Sequence, residues 1–358
     1  MDAQRVEQPL RVLGLMSGTS LDGIDLADCS FVYSDNRWDY QLHRAVTLPY
    51  PEAWKRTLSD LYNADARTIF KIHADLGSYY GSCIKEFMAQ TPEKPGLIAS
   101  HGHTLFHNPG QHYTVQIGSG AGIAALTGID TVCDFRSKDI ALGGQGAPLV
   151  PIGDELLFGD YAACLNIGGI INVSMQLSGK RTAWDISIAN MALNHLAERM
   201  GLPYDRGGEL ARSGSVDQEL LRTLVALPYH HQAPPKSLGR EWFEQEVAPL
   251  LNQGGVNDLS ATVCELIAIE TGKALQELSN SSRVLTTGGG AHHTYLIGRI
   301  REHTKTNIVV PDDTLTDFKE AVVFAFLGAL FSTGNYNVLS DATGSIRNHI
   351  GGALYKGA

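Results

Sequence analysis

A strand-like run that ends in a turn of small residues is the feature that most constrains the fold of this chain. Apolar residues dominate positions 10–15, and the segment Ser17–Asp25 then reads S-G-T-S-L-D-G-I-D. Apolar and polar residues alternate again over 24–31, which is typical of a second strand. Glycine lets the backbone approach a ligand closely, and a tight turn can aim several N–H groups at one anion. The pattern therefore predicts a β-hairpin whose tip binds a phosphate group.

We expect this hairpin to bind the phosphates of a nucleotide. Acidic residues repel a bare phosphate but suit one that carries Mg²⁺, so Asp22 is a candidate metal ligand that acts through water. The segment is neither a P-loop, which needs a lysine, nor a dinucleotide fingerprint, which opens a helix. An ordinary hairpin turn of serine, threonine and glycine is the alternative. The residues assigned to the site are Ser17, Gly18, Thr19, Ser20, Asp22, Gly23 and Asp25.

Two further glycine turns follow strand-like runs. Residues 164–173 read C-L-N-I-G-G-I-I-N-V and predict a second hairpin, while 284–291 read V-L-T-T-G-G-G-A and lead into a predicted helix over 291–300. Three such turns resemble the actin-like sugar kinase and Hsp70 ATPase superfamily, in which two duplicated domains each contribute a phosphate hairpin and a third glycine turn holds the nucleoside. The resemblance implies nucleotide contacts at Asn166, Gly168, Gly169, Gly288, Gly289 and Gly290.

The same resemblance implies an α/β fold with two duplicated actin-like (ribonuclease H-like) ATPase domains and a cleft between them. We place the N-terminal domain at residues 1–140, completed by the C-terminal tail at about 333–358, and the C-terminal domain at 141–332. The segment 143–151, rich in glycine and proline, is the predicted link between them.

Local patterns in the first half agree with a mixed α/β fold. Strand-like segments near 10–16, 24–33 and 38–48 predict a meander, with one turn at Ser34–Arg37. Helical periodicity follows from about 66 to 90.

Eight sequence blocks between about residue 12 and residue 330 resemble those of the anhydro-N-acetylmuramic acid kinase family. They are M-S-G-T-S-L-D-G-I-D at 16–25, S-H-G-H-T at 100–104, D-F-R at 134–136, G-G-Q-G-A-P-L-V at 143–150, N-I-G-G-I at 166–170, P-P-K-S-L-G-R-E at 234–241, G-G-G at 288–290 and K-E-A-V-V-F-A-F-L at 319–327. The resemblance implies a kinase that uses ATP and Mg²⁺ to phosphorylate O6 of 1,6-anhydro-N-acetylmuramic acid while hydrolysing the 1,6-anhydro bond. The product would be N-acetylmuramic acid 6-phosphate, for cell-wall sugar recycling. The resemblance also suggests a homodimer.

Asp185 takes the position of the family's catalytic aspartate. It follows Ala183 and Trp184 at the predicted end of a short strand, where a side chain can face a cleft. A carboxylate near the anomeric carbon can accept a proton from water as that carbon gains oxocarbenium character. The alternative is an aspartate that caps a helix starting near Ala189.

The chain departs from the family directly after Asp185. The family pattern there is D-T-G-P-G-N, whereas Asp185–Asn190 reads D-I-S-I-A-N. A β-branched residue in place of glycine disfavours positive φ and could narrow the space for a ligand. Two alternatives therefore stay open: a kinase for a different sugar, and a nucleotide-binding sensor that has lost turnover.

Three more residues are candidates for contact with the substrate: His101, Arg136 and Glu320. Arg136 has a planar fork that fits a carboxylate, with a structural ion pair to a neighbouring aspartate as the alternative. Glu320 could hydrogen-bond sugar hydroxyls, or it could be an acid favoured in a first helical turn. His101 resembles the histidine of the family's S-H-G-x-T motif.

Four histidines lie close together in the sequence, at positions 101, 103, 107 and 112. Such a cluster suggests zinc, but no cysteine or HExxH-type helix accompanies it. A structural or substrate-contacting role is therefore favoured over a metal site.

Composition limits the classes of partner. The chain has 358 residues, a net charge of −10 and a pI near 5.7, so it lacks the basic surface expected for nucleic acid or an anionic membrane. Its longest apolar stretch, 321–331, is too short to span a bilayer, and no signal-type apolar core follows Met1. The five cysteines lie far apart and are expected to be reduced thiols. We therefore expect a cytoplasmic protein that binds a sugar and ATP.

Overall fold

The computed structural model describes residues 6–18, 21–90 and 93–357, which form two compact units. Unit 1 comprises the described residues up to Leu157 together with those from Phe318 onwards. Unit 2 comprises Phe158–Asp317.

Unit 1 has a seven-stranded sheet within its described residues. The strands are β1 (Val6–Ser17), β2 (Gly23–Ser34), β3 (Arg37–Pro49), β4 (Leu97–Asn108), β5 (Tyr113–Ile117), β6 (Thr131–Cys133) and β12 (Ala353–Tyr355). The helices are α1 (Glu52–Asp60), α2 (Ala66–Met88), α3 (Gly120–Thr127), α4 (Ser137–Ala141), α5 (Pro151–Leu156) and α13 (Ser340–Thr343). The order across the sheet is β12-β6-β4-β1-β2-β3, with β5 beside β4.

Unit 2 has a five-stranded sheet in the order β11-β10-β7-β8-β9. The strands are β7 (Ala163–Ile167), β8 (Ile170–Leu177), β9 (Lys180–Ile188), β10 (Arg283–Thr287) and β11 (Asn307–Val309). The helices are α6 (Asn190–Glu198), α7 (Glu209–Ser213), α8 (Gln218–Val225), α9 (Arg240–Trp242), α10 (Val256–Ala274) and α11 (Thr294–His303). Helix α12 (Asp313–Ser332) begins in unit 2 and continues into unit 1.

The two sheets repeat one topology. In each, three consecutive strands form an antiparallel meander, one later strand pairs in parallel with the first strand of that meander, and a further strand pairs in parallel with this added strand. This strand order is that of a ribonuclease H-like unit. The predicted α/β fold with a duplicated actin-like domain is therefore confirmed, while the cleft between the domains stays a prediction.

Local chemistry accounts for several element boundaries. The predicted turn after β2 is present, and Asp35 and Asn36 adopt φ angles of 51° and 60°. Two successive residues at positive φ are typical of a hairpin turn whose twist matches its strands. Helix α2 begins where predicted, because the side chain of Asp65 accepts a hydrogen bond from Thr68 N at 3.0 Å and caps the first turn.

Close contacts at two glycines explain the extent of unit 1. A Cβ on Gly14 of β1 would lie 2.0 Å from Ala321 O, and a Cβ on Gly153 of α5 would lie 2.6 Å from Val323 Cγ2. Only glycine fits at these positions, because α12 packs closely against both β1 and α5. Unit 1 thus includes 141–157 and 318–332, which the sequence-based division assigns to the second domain.

Each unit has its own hydrophobic core. Leu13, Leu15 and Ile98 are fully buried in unit 1, and Leu165 and Ile267 are fully buried in unit 2. All five cysteines are free thiols, as predicted. No helix in the described ranges is both long enough and apolar enough to cross a membrane.

Candidate active site

A chain of buried hydroxyl groups holds the end of β1 in unit 1. Ser17 Oγ lies 2.8 Å from Tyr50 Oη and 3.2 Å from His103 Nδ1, and Tyr50 Oη lies 2.8 Å from Tyr80 Oη. Burial lowers the pKa of His103 to about 4, so its ring is neutral at physiological pH. The Ser17 hydroxyl is therefore engaged within the protein, which leaves the main chain of the hairpin to meet a ligand.

Two carboxylates flank the hairpin tip. Asp22 is exposed, and its carbonyl oxygen accepts a hydrogen bond from Tyr50 N at 3.3 Å. Asp25 is half-buried, and its Oδ1 accepts a hydrogen bond from Thr47 Oγ1 at 2.6 Å. The hairpin thus combines one solvated carboxylate with one that is fixed by the neighbouring strand.

Glycines let the hairpin turn closely. A Cβ on Gly23 would lie 2.4 Å from Leu48 O, so glycine is required where β2 begins beside β3. Gly18 is half-buried, and its carbonyl oxygen lies 3.5 Å from Leu21 N across the turn. Thr19 and Ser20, both predicted phosphate ligands, lie outside the described residues.

The structure brings together His101 and Arg136, two predicted substrate residues of unit 1. His101 Nδ1 donates to Gly102 O at 2.9 Å, so Nε2 is the acceptor for Arg136 Nε at 3.1 Å and Nη2 at 2.9 Å. Arg136 Nη1 donates to Gly146 O at 2.6 Å. Burial and the adjacent guanidinium hold the pKa of His101 well below its ordinary value, which agrees with a neutral acceptor ring.

Within the described part of the chain, Arg136 does not form the ion pair with a neighbouring aspartate that was the alternative for it. Among the described residues, the nearby carboxylate of Asp139 instead accepts hydrogen bonds from Gly146 N and Thr343 Oγ1, each at 2.7 Å. Burial lowers the pKa of Arg136 to about 10, and the negative charges of Glu320 and Asp139 partly offset this shift. One edge of the guanidinium is thus taken by His101 and a further N–H group by Gly146 O, which leaves one N–H group on each of Nη1 and Nη2 for a ligand.

Glu320, the third predicted substrate residue, lies near Arg136 within unit 1. Helix α12 starts at Asp313, so Glu320 lies in the helix interior and the first-turn alternative is wrong. Burial raises the pKa of this carboxyl group, while Lys319 and Arg136 oppose the shift. Within the described ranges no hydrogen bond reaches the Glu320 side chain, in contrast to the adjacent Lys319, which pairs with Asp154 at 2.5 Å. A half-buried carboxyl group of this kind can bind hydroxyl donors of a ligand.

The neighbouring histidines have protein partners. His103 contacts Ser17, and His107 Nδ1 lies 3.1 Å from Thr114 Oγ1. Within residues 6–18, 21–90 and 93–357, no group of three or more His, Cys, Asp or Glu side chains is arranged to hold a metal ion.

In unit 2, the β7–β8 hairpin supports the start of helix α6. Gly169 O accepts hydrogen bonds from Ala189 N at 2.8 Å and Met191 N at 3.1 Å, and Gly168 O accepts one from Asn190 N at 3.1 Å. The N-terminal N–H groups of a helix lack partners within the helix, and here the hairpin carbonyls supply them. Hairpin and helix are therefore hydrogen-bonded into one corner.

The triple-glycine turn packs onto the same corner. A Cβ on Gly288 would lie 2.6 Å from Asn166 Oδ1, and a Cβ on Gly290 would lie 2.2 Å from Ile167 Cγ2. A Cβ on Gly289 would lie 3.8 Å from its nearest neighbour, Asn190 Nδ2. The structure thus brings together all six glycine-turn residues predicted in this half of the chain.

A cavity of about 580 Å³ opens beside this corner. Its volume is typical of small-molecule sites. At its side, Asp205 accepts hydrogen bonds from Leu210 N and Ala211 N and pairs with His293 Nε2 at 3.3 Å, which fixes the wall. Residues that line the cavity include Asn190, Asn194, Tyr204, Arg206, Gly289 and His292.

Asp185, the predicted catalytic residue, lies in the interior of β9 in unit 2. The strand continues to Ile188, and α6 starts at Asn190 without a side-chain cap, so both the predicted strand end and the capping alternative are wrong. Asp185 Oδ2 accepts a hydrogen bond from Leu238 N at 2.9 Å, and no described residue bonds Oδ1. Burial raises the pKa of the carboxyl group, and the bond from Leu238 N partly offsets the shift. A carboxylate in this setting is a stronger base than an exposed one.

The segment 186–189, which differs from the family pattern, does not distort strand β9. No residue in 186–189 adopts a positive φ, so the backbone requires no glycine there. Ile186 is 3% exposed and Ile188 is fully buried, and both belong to the core of unit 2. The isoleucines therefore extend β9 and fill the core.

One important neighbour of Asp185 was missed by sequence reasoning. Tyr229 donates a hydrogen bond from its hydroxyl to Asp185 O at 2.6 Å. Tyr229 lies outside the eight sequence blocks, whereas the loop that contains Lys236 and Leu238 is one of those blocks. The block at 234–241 was therefore the signal in the sequence that this loop contributes to the candidate site.

The repeated ribonuclease H-like sheets, with a glycine hairpin in each, place this protein in the actin-like class. A family model for anhydro-N-acetylmuramic acid kinase matches residues 10–357. The chain therefore belongs to the anhydro-N-acetylmuramic acid kinase family, which confirms the resemblance seen in the sequence.

Relatives of this chain match over almost their full lengths. The anhydro-N-acetylmuramic acid kinase of Gloeobacter violaceus is 36% identical, with 95% of this chain and 97% of that protein covered. The corresponding protein of Sulfurimonas denitrificans is 32% identical, with 96% and 99% covered. Among solved structures, (R)-2-hydroxyglutaryl-CoA dehydratase component A of Acidaminococcus fermentans is similar at a TM-score of 0.46 and 13% identity, with 91% of this chain and 100% of that chain covered.

Proposed function

We propose that this protein uses ATP to phosphorylate O6 of 1,6-anhydro-N-acetylmuramic acid while water opens the anhydro bridge. The product is N-acetylmuramic acid 6-phosphate, an intermediate suited to cell-wall sugar recycling. The observation that carries the proposal is the half-buried carboxylate of Asp185, which the described residues bond at one oxygen only, in a chain of this kinase family.

Asp185 is the proposed general base. A water oxygen bonds to C1 of the sugar, its proton passes to Oδ1 of Asp185, and the C1–O6 bond breaks. The freed O6 then bonds to the γ-phosphorus of ATP, and ADP leaves with the electron pair of the broken P–O bond. A carboxylate suits the first step because the anomeric carbon gains oxocarbenium character as the bridge opens.

His101, Arg136 and Glu320 are the proposed substrate contacts. The N–H groups of Arg136 that His101 and Gly146 leave available suit the lactyl carboxylate of the sugar. Glu320 suits the sugar hydroxyls, because its carboxyl group is half-buried and receives no hydrogen bond from the described residues. His101 holds the guanidinium in place as a neutral acceptor.

The glycine turns are the proposed nucleotide site. The turns of the two glycine hairpins suit phosphate oxygens, because a tight turn can present main-chain N–H groups to an anion, and the 580 Å³ cavity beside Gly289 suits the nucleoside. The carboxylates at the first hairpin fit Mg²⁺, which takes oxygen ligands and keeps several waters, so Asp22 would hold it through water. Bound Mg²⁺ would supply neutralisation of the phosphate charge.

Two further properties belong to the same proposal. We infer a cytoplasmic location, because ATP is the phosphoryl donor and the five thiols are free. We also infer a homodimer, which light scattering on the purified chain tests directly.

The decisive experiment measures ADP release and product mass for the wild type and Asp185→Asn with Mg²⁺, ATP and the anhydro sugar. We expect a product heavier by one water and one phosphoryl group, with turnover in Asp185→Asn lower by about 10³-fold. A matched control is Asp160→Asn, which changes an exposed carboxylate near the start of unit 2. Phosphorylation of another sugar in a panel would instead support the alternative acceptor, and ATP binding without any product would support the sensor.

A further inference from the structure

The segment from Tyr229 to Leu238 closes the outer edge of β9 at Asp185. Strand β9 is the edge strand of its sheet, so no strand among the described residues pairs with its outer side. Asp185 N donates to Lys236 O at 3.0 Å, and Leu238 N donates to Asp185 Oδ2 at 2.9 Å. The loop thus replaces a neighbouring strand over a single residue, and that residue is the proposed base.

Tyr229 and Lys236 hold each other as well as the aspartate. The Tyr229 hydroxyl donates to Asp185 O at 2.6 Å, and Lys236 Nζ donates to Tyr229 O at 3.0 Å. The same ammonium group lies 4.5 Å from the centre of the Tyr229 ring, within the range of a cation–π interaction. The main chain of Asp185 is therefore bonded on both its N–H and C=O groups by residues that are locked together.

We propose that Tyr229 and Lys236 are positioning residues that hold Asp185 so that Leu238 N occupies Oδ2 and Oδ1 remains to accept the proton. This inference rests on the proposed function, because it assigns a purpose to the surroundings of the base. A base works only when its oxygen lies within hydrogen-bond reach of the attacking water, so a small displacement of the main chain lowers turnover steeply.

The groups that can titrate around Asp185 are few. Tyr229 faces it from the loop side, and β8 places Asn172, which does not titrate, in register with it. Lys236 contacts Asp185 through its main-chain carbonyl, while its ammonium group lies over the Tyr229 ring and interacts with Glu270 and Lys273. Burial lowers the pKa of Lys236 and raises that of Asp185. Because Asp185 is the proposed base, we expect the acidic limb of the kcat/KM profile to report its protonation.

Tyr229→Phe tests the position of the base, because it removes one hydroxyl and keeps the ring under Lys236. We expect kcat to fall about 10- to 100-fold, while the KM for ATP stays at the wild-type value. Tyr161→Phe is the matched control: Arg283 lies 4.5 Å over that ring, and its Nη2 bonds the tyrosine hydroxyl at 3.2 Å. Lys236→Met should lower kcat in the same way, and Lys236→Arg should restore part of it.

Leu238→Pro tests the bond to the carboxylate, because proline has no N–H group. Losing that bond removes a stabilisation of the charged form, so the acidic limb should move to higher pH. Leu238→Ala keeps the N–H group, so the acidic limb of its kcat/KM profile should stay at the wild-type pH even if its kcat differs.

The outcomes separate the two proposals. A wild type without turnover that depends on Asp185 overturns the proposed function itself. Normal Asp185-dependent turnover with an unchanged kcat in both Tyr229→Phe and Lys236→Met, in folded protein, overturns only the positioning role. If Leu238→Pro fails to fold, the kcat-against-KM split in Tyr229→Phe still decides the question.

Discussion

In unit 1 the turn of the first hairpin begins after Ser17, whose hydroxyl is buried against Tyr50 and His103. In unit 2 the corresponding hairpin turns at Gly168 and Gly169, whose carbonyls accept the first N–H groups of α6. The strand order around the two hairpins is the same, yet one is held by side chains and the other by main chain.

This difference shows how a repeated topology can support separate tasks. The side-chain network of unit 1 contains neutral histidines and an arginine in a buried setting. Its hydrogen bonds therefore depend on the protonation states of these side chains. The main-chain corner of unit 2 depends on the absence of Cβ atoms at its glycines, and pH has little effect on such contacts. The two units should therefore respond differently to acid and to mutation.

The largest expected effect is a loss of stability in unit 1 as the pH falls. Burial lowers the pKa of several histidines in the folded state. These side chains stay neutral in the folded protein, but below about pH 6.5 they take up protons in the unfolded chain. Their contribution is complete above that pH and is lost below it. His103, with a pKa of about 4, alone should cost about 2 kcal/mol at pH 5. Such histidines in unit 1 are His73, His101, His103 and His107, against His230 in unit 2.

Hydrogen exchange followed by mass spectrometry at pH 7 and pH 5, corrected for intrinsic rates, checks this difference. Protection in β4 should fall more than protection in β8. Each unit also has a carboxyl group whose pKa is raised: Glu320 in unit 1 and Asp185 in unit 2. Each of these groups stabilises its own unit at low pH, so their effects cancel in the comparison between β4 and β8. Equal losses in both strands would contradict the expectation.

Gly288→Ala should damage the unit 2 corner. Gly288 has a φ of 87°, and a Cβ there would meet Asn166 Oδ1 and Ile167 O at 2.6 and 2.8 Å. We expect the free energy of unfolding to fall by about 2 kcal/mol and the KM for ATP to rise. Gly289→Ala is the control, since its nearest neighbour would be 3.8 Å away. Similar denaturant midpoints for the two variants would contradict the packing argument.

Arg136→Lys should weaken sugar binding in unit 1. Lysine lacks the fork that bonds His101 and Gly146 together, so its charge is no longer fixed. We expect the KM for the anhydro sugar to rise about tenfold, equivalent to about 1.4 kcal/mol, with the KM for ATP unchanged. Arg44→Lys, at an arginine that bonds Phe87 O elsewhere in unit 1, should leave both values unchanged. A rise in the KM for ATP instead would assign Arg136 to the nucleotide.

Ser17→Ala should have the smallest effect. It leaves Tyr50 and His103 without one buried partner, which typically costs about 1 kcal/mol of stability. Ser78→Ala, which removes a bond to Ala74 O on the exposed side of α2, is the control. Urea unfolding that cannot distinguish the two variants would mean that the buried network contributes nothing to the hairpin.

The sequence determined the features that depend on adjacent residues. The glycine turns, the turn at Asp35 and Asn36, the start of α2 and the α/β class all follow from local turn chemistry and periodicity. The motif resemblance gave the family and named Asp185 as the base. Local patterns were wrong about the length of β9, because Ile186 and Ile188 extend the strand into a core that only the folded unit provides.

Tertiary structure alone decided how the candidate site residues are held. Tyr229 and Leu238 reach Asp185 across 44 and 53 positions of the chain, and Arg136 reaches His101 across 35. No local pattern encodes such contacts, because they form only when strand edges and loops from distant segments pack together. The sequence therefore determined which groups could do the chemistry, and the packing of each unit decided which of their atoms are left to do it.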